Sequence, residues 1–393
     1  MSILSEVVVA SGGASPQKLD ALTGLRFLAS AAIVFRHIGG NYGFPRTDFP
    51  LASGVTMFFV LSGFILTYVY PELPTSSHVK KYLVARVARI WPLHFVCFLL
   101  VILLCSPIPA SMFPQWATSA LANVLLIQAW VPVYSFSLAF NSVSWTISIE
   151  MFFYLAFPLL IASFSSTWHW KLVASFAGLL FMCALSQSLG IVKFDPTLTN
   201  TPTMINTVGI FPLARLFEFV AGMCCCLAWR RWGHFLPTQM WLATIAEVLA
   251  FLLLFAAGFY LAVASFWVER HLGAALSVWI IVGGALAPVM VIVIGVLATG
   301  RGLISWVLSS PPMILLGEMS FAIYMVHQIV QRTLVVHFYE LANYSPLVAL
   351  TVFFGTTLLA SAALYFVIER PCRKLITSHY SRLARLVPGS AGT

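Results

Sequence analysis

The first long apolar segment, Leu22–Gly40, contains Arg26, Arg36 and His37, and of these Arg26 and His37 can share one stripe for anion and acid–base chemistry. They are eleven residues apart, which on an α-helix is about 20° off a single face and roughly 16 Å along the axis. One helical stripe therefore carries a guanidinium near one end and an imidazole towards the other. A guanidinium holds phosphate or carboxylate, and an imidazole can take a proton from a hydroxyl. The plainer alternative is that Arg26 snorkels to lipid phosphates while His37 caps an interface. A later apolar segment, Val143–Phe164, carries Glu150. Glu150 lies about two turns and His37 about one turn below the same surface. The carboxylate is therefore expected to pair with the imidazole, fix its tautomer and leave the other ring nitrogen as a base. A purely structural pair joining two helices is the alternative.

Further along, Ser320, Tyr324 and His327 follow i, i+4, i+7 spacing and share one polar face. That face either seats an acceptor hydroxyl or zips helices together. Arg86 and Arg89 stand one turn apart just before the apolar run that starts at Ile90, with Lys80 and Lys81 upstream. Paired arginines at this spacing suit phosphate recognition; ordinary anchoring against acidic lipid is the bland reading. Arg215 and Glu218, three apart, are expected to satisfy one another. The seven cysteines, Cys97, Cys105, Cys183, Cys224–Cys226 and Cys372, have no metal-ligand spacing and read as packing residues.

The elements that position these groups follow from composition. The chain has 393 residues, 60% of them hydrophobic, and only 8% are charged, against roughly 25% in soluble domains. The mean hydropathy is +0.95. A soluble enzyme and a disordered chain are both excluded, the latter because disorder needs low hydrophobicity. Runs of about 20 apolar residues recur, each long enough to cross the bilayer as a helix. Segments such as Val278–Val296 lack the alternation of a barrel strand. The expectation is an all-α, polytopic membrane bundle of about ten helices, at Leu22–Gly40, Leu51–Tyr70, Ile90–Cys105, Val143–Phe164, Leu172–Val192, Val208–Ala228, Trp241–Ser265, Ala274–Thr299, Met313–Val336 and Pro346–Ile368.

With both termini cytoplasmic, fourteen Lys and Arg fall inside and four, Arg46, Lys193, Arg270 and Arg332, outside. That asymmetry is the positive-inside pattern. An eleventh span at Ala117–Val131 would spoil it, so the charge-free stretch Ser106–Ser142 is expected to lie on the outer surface or dip back in. The net charge of +9 then belongs to topology and implies no nucleic-acid partner. Residues 1–18 read as a flexible tail and no signal peptide, 19–375 as the membrane domain, and 376–393 as a basic cytoplasmic tail. A transporter or flippase would also suit ten spans with intramembrane charges, although no inverted repeat is visible.

Several of these strings together resemble the integral membrane acyltransferase-3 family. The resemblance runs over roughly residues 19–375. It is carried by Leu19–Asp20–Ala21–Leu22–Thr23–Gly24–Leu25–Arg26, by the arginine-x10-histidine pair Arg26 and His37, and by Met57–Phe58–Phe59–Val60–Leu61–Ser62–Gly63–Phe64. Further along come the arginine-x-x-arginine element Arg86 and Arg89, followed by Ile90–Trp91–Pro92–Leu93–His94, and the block Ser144–Trp145–Thr146–Ile147–Ser148–Ile149–Glu150–Met151–Phe152–Phe153–Tyr154. The last is Leu316–Gly317–Glu318–Met319–Ser320–Phe321–Ala322–Ile323–Tyr324–Met325–Val326–His327. Met151 departs from the pattern, where members often carry a second acidic residue. The chain ends soon after its last span, which leaves no room for the extra-cytoplasmic esterase-like domain of some members.

The resemblance implies an O-acyltransferase of the bacterial cytoplasmic membrane. It would move an acyl group, usually acetyl, from acyl-CoA to a hydroxyl of a surface carbohydrate such as an exopolysaccharide or its lipid-linked precursor. A macrolide-like secondary metabolite is the second acceptor class. No cofactor is bound permanently; acyl-CoA is the donor substrate, and the lipid bilayer, the carbohydrate and polysaccharide-assembly proteins are the expected partners. Arg26, Arg86 and Arg89 would hold the nucleotide phosphates, and His37, oriented by Glu150, would act as general base. Ser320, Tyr324 and His327 would seat the acceptor or stabilise the oxyanion.

Overall fold

The computed structural model describes residues 19–39, 49–105, 113–195, 197–337 and 345–386. Eight helices are long and apolar enough to cross a membrane, and two further helix pairs pass the same test as bent spans, which gives up to ten. The helices are α1 (Asp20–Ile38), α2 (Gly54–Val69), α3 (Ser76–Cys105), α4 (Phe113–Val124), α5 (Trp145–Ile161), α6 (Phe164–Ser188), α7 (Leu216–Trp232) and α8 (Met240–Leu272). They continue as α9 (Ala274–Ile281), α10 (Ala287–Leu297), α11 (Leu303–Leu308), α12 (Pro311–Glu318), α13 (Ser320–His337), α14 (Pro346–Leu364) and α15 (Arg370–Leu386). Each of the ten apolar segments read from the sequence coincides with one single or bent span. Large apolar side chains such as Leu159, Phe266 and Leu359 point outward and stay at least three-quarters exposed. This is the surface a lipid-embedded bundle presents, and the chain is an integral membrane protein.

One boundary differs from the sequence reading. Arg86 and Arg89 do not precede the third span but lie within it, because α3 runs unbroken from Ser76 to Cys105. Thirty residues rise about 45 Å, longer than the hydrocarbon core. The first turns of α3 therefore extend beyond the apolar layer. Hydropathy marks only its apolar part, and nothing between Ser76 and Trp91 breaks a helix.

The stretch before α5 does not span. The twelve residues of α4 rise only about 18 Å, and backbone polar groups tie the segment to the bundle. The ring Nε2 of His94 donates to the Asn123 carbonyl (2.9 Å), and the indole of Trp91 donates to the Val124 carbonyl (3.1 Å). The Ser148 hydroxyl donates to Leu126 O (2.7 Å), and the Arg332 guanidinium to Phe140 O (2.6 Å). Leu126 and Phe140 both sit at φ 59°, a region costly for residues with a Cβ. These tethers hold both strained positions in place.

Within the bundle, close backbone approach replaces the hydrophobic drive that lipid cannot supply. A Cβ on Gly63 of α2 would stand 2.0 Å from Phe219 O of α7, and one on Gly222 of α7 would stand 1.9 Å from Val60 O of α2. The two glycines let α2 and α7 touch backbone to backbone. Gly222→Val should lower the unfolding free energy in detergent by about 3 kcal/mol or more. An unchanged melting midpoint for that variant would show that the two helices do not pack this closely.

The bent spans break at 62°, between Ala274–Ile281 and Gly284–Leu297, and at 60°, between Pro311–Glu318 and Ser320–His337. The second break starts α13 at Ser320 and so aims its polar face separately from α12. As the spacing predicts, Arg215 and Glu218 form a fully buried ion pair at 2.8 Å. Arg215 also donates to Gly209 O (3.0 Å) and to the Thr56 hydroxyl (2.8 Å). Glu247 accepts backbone N–H groups of Gly302, Ile304 and Ser305 and so caps the start of α11. Both are structural uses of buried charge.

Candidate functional site

A cavity inside the bundle takes one wall from each of α1, α2, α3, α5 and α13. Helix α2 contributes Phe58, Ser62 and Ile65, an i, i+4, i+7 stripe that is half-buried because it borders this space. Helix α5 contributes Thr146, Glu150 and Tyr154, also a single face. Arg26 arrives from α1, Arg86 and Arg89 from α3, and Phe321 and Tyr324 from α13.

The polar groups are ordered along the cavity. At the end where α2 finishes, the Arg86 guanidinium stacks over the rings of Tyr70 (5.6 Å) and Tyr154 (5.9 Å). Arg89 pairs with Glu369 at 3.6 Å, and both side chains are buried. Glu369 closes a single π-helical turn, Tyr365–Glu369, between α14 and α15; such turns recur at functional sites. Glu369 does not border the cavity, so it backs Arg89 from behind. Midway, the Glu150 carboxylate accepts from the Tyr154 phenol (2.6 Å) and from the Ser62 hydroxyl (3.2 Å). Arg26 feels the charges of Arg89, Glu150 and Glu369. Three guanidiniums thus face two carboxylates, and one positive charge remains over. Net positive charge in a low-dielectric pocket favours an anionic ligand.

The far end is closed by Tyr324. Its phenol donates to Val143 O (3.0 Å) and accepts from the Thr146 hydroxyl (3.1 Å). The ring meets Phe58 edge-on at 6.1 Å on one side and His327 at 6.0 Å on the other. Beyond it lies a pair of imidazoles: His327 Nε2 is 3.0 Å from His37 Nδ1. His327 Nδ1 lies 3.3 Å from the Ile323 carbonyl. A carbonyl only accepts, so that nitrogen carries the proton and Nε2 is left as an acceptor. The shared bond then runs from His37 Nδ1–H to His327 Nε2, and the lone pair of His37 resides on its Nε2. Gln331 fixes the same turn by donating to His37 O (3.2 Å).

The expected pairing of His37 with Glu150 is therefore corrected: His37 is bonded to His327, and Glu150 to Tyr154 and Ser62. The reason is depth and rotation. Ser62 lies eight residues into α2, about 12 Å from its start, and draws Glu150 to mid-bundle. His37 occupies the last turn of α1. The polar face of α13 also divides, since Tyr324 borders the cavity and His327 lies beyond it. Ser320 is fully buried, and its hydroxyl finds no partner among the described residues. Because the Tyr324 phenol is already bonded to Val143 and Thr146, it is poorly placed to donate to an oxyanion. Arg26, Arg86, Arg89 and Glu150 do share one cavity.

Sequence reasoning passed over Ser62, Tyr154 and Glu369. Tyr154 was visible as the i+4 neighbour of Glu150, and Glu369 as a lone carboxylate at the end of the last apolar run. Ser62 stood within the Met57–Phe64 block, but nothing in its type or spacing marked it as a partner of Glu150.

A membrane-embedded bundle encloses an arginine-lined cavity that ends at Tyr324, with a histidine pair behind that ring. Residues 19–366 match the acyltransferase-3 model, an acyltransferase domain, and the chain belongs to that family. It is a membrane acyltransferase, which sets aside the transport reading. It is 28% identical over 338 residues to the acyltransferase MdmB of Streptomyces mycarofaciens, covering 80% of this chain and 79% of that one. It is 26% identical over 390 residues to nodulation protein 10 of Rhizobium leguminosarum bv. viciae, covering 91% and 94%. A shorter match, 25% over 161 residues, covers 38% of this chain and 25% of the peptidoglycan O-acetyltransferase OatA of Listeria monocytogenes. No solved structure matches.

Proposed function

We propose that the chain transfers an acyl group, acetyl first, from acyl-CoA to a carbohydrate hydroxyl at the bacterial cytoplasmic membrane. The observation that carries this reading is the order of groups along one cavity: Arg86 and Arg89 at one end, Glu150 and Ser62 midway, and Tyr324 against the His37–His327 pair at the other. The donor's phosphates meet Arg86 and Arg89 from the cytoplasm, and the pantetheine arm runs past Ser62. Glu150 and Glu369 keep the guanidiniums from being uncompensated when no donor is bound.

The acceptor enters from the histidine side of Tyr324, outside the apolar end of the cavity, and there His37 Nε2 takes the proton of its hydroxyl as the oxygen attacks the thioester carbon. The C–O bond forms, the C–S bond breaks, and the departing thiolate receives that proton, giving ester and CoA–SH. His327 holds the tautomer of His37 by accepting from Nδ1–H. It takes over the orienting role that the sequence suggested for Glu150. A carbohydrate acceptor is favoured because one relative is named for O-acetylation of peptidoglycan, a glycan polymer. Membranes containing the full chain, given acetyl-labelled acetyl-CoA, should place label on surface glycan. Label that stays in CoA while intact glycans of the same cells carry no extra acetyl would overturn the reading.

A further inference from the structure

The cavity is polar along most of its length but apolar where it ends. Counting back along α2 from Ser62, Phe58 is one turn and Val55 two turns nearer the far end, about 6 Å and 10 Å along the axis. Ile147 of α5 and Phe321 of α13 complete this apolar pocket with them. The direction is fixed by Arg86, whose guanidinium stacks on Tyr70 just past the other end of α2. Phe58 is the half-buried member that meets Tyr324 edge-on at 6.1 Å, so the two rings form a wall across the cavity one turn short of Val55. Tyr324 itself is pinned by Val143 and Thr146 and cannot retreat without losing those bonds.

We propose that Phe58 sets the length of acyl chain the protein accepts, by narrowing the apolar end of the cavity against Tyr324. The inference rests on the acyl-CoA reading above and narrows its donor to short acyl groups. A chain with nothing polar beyond its carbonyl suits Val55, Ile147 and Phe321, whereas the sugar hydroxyls of an acceptor would leave buried polar groups unpaired there. Acetyl fits in front of the wall. Each further methylene has to displace an aromatic ring, and one methylene in a closed apolar pocket is worth roughly 10-fold or more in discrimination.

The test is binding of CoA, acetyl-CoA, butyryl-CoA and hexanoyl-CoA to the full chain in lipid nanodiscs, for the native protein, Phe58→Ala and Phe58→Leu. The milder Leu variant guards against loss of packing in the Ala variant. The native protein should favour acetyl-CoA over hexanoyl-CoA, and Phe58→Ala should shift the hexanoyl-to-acetyl affinity ratio upward by about 10-fold or more. Phe58→Leu should give a smaller shift in the same direction. CoA without an acyl group does not reach the wall, so its affinity should not follow that trend. An unchanged ratio in both variants would overturn the role of Phe58 and leave the donor reading standing. Failure of the native protein to bind CoA or any acyl-CoA would overturn the donor reading, and this one with it.

Discussion

Replacing His37 with Ala should lower the turnover of acyl transfer about 10²–10⁴-fold, while the protein still inserts in the membrane and still binds acyl-CoA. The base is lost, but the arginine end of the cavity, three turns of α1 away, is untouched. His327→Leu should cause a smaller fall, because the His37 ring stays but loses the imidazole nitrogen that faces its Nδ1. His327→Gln should recover part of that loss, since its amide oxygen can accept the same bond. Turnover and donor affinity measured side by side check this. If His37→Ala instead weakens donor binding and leaves turnover intact, the imidazole is not the base.

The second large effect concerns Arg89. Arg89→Met takes from buried Glu369 its ion-pair partner, and removing one member of a buried pair costs about 3–5 kcal/mol. Unfolding midpoints in detergent should therefore fall sharply. Adding Glu369→Gln removes the buried carboxylate and should restore most of the stability. Donor binding should stay weak in the double variant, because the guanidinium that borders the cavity is still missing. Full recovery of acyl-CoA affinity along with stability would make Arg89 a structural partner of Glu369 and nothing more.

Much of this architecture was legible in the sequence. The ten spans were, because an apolar run long enough to cross lipid has few other uses. That the stretch before Val143 adds no further span was, because an eleventh crossing would have spoiled the placement of the arginines. Arg26 and Glu150 stood out for a related reason, since charges within spans are costly and seldom idle, and Arg86 and Arg89 stood out as an arginine pair one turn apart. Rotation and depth were hidden. Nothing in the hydropathy of Ser76–Arg89 says that α3 begins so early, so both arginines looked like residues at the membrane edge. Counting turns placed Glu150 near His37, but the rotation of α5 turns that carboxylate towards Ser62. The partner of His37 came from a helix whose 60° break at Met319 sets the aim of His327. The Arg89–Glu369 pair joins residues 280 positions apart, a contact no local pattern announces.

One cavity runs from the arginines of α3 to Tyr324, and the imidazole pair made by α1 and α13 stands on the other side of that ring. An experimental structure of the full chain in lipid with CoA bound tests it most directly. Phosphate density should lie against Arg86 and Arg89, the pantetheine arm should pass Ser62 with its thiol approaching Phe58, and His37 should be bonded to His327. CoA density away from this cavity, or His37 bonded to Glu150 instead, would contradict it.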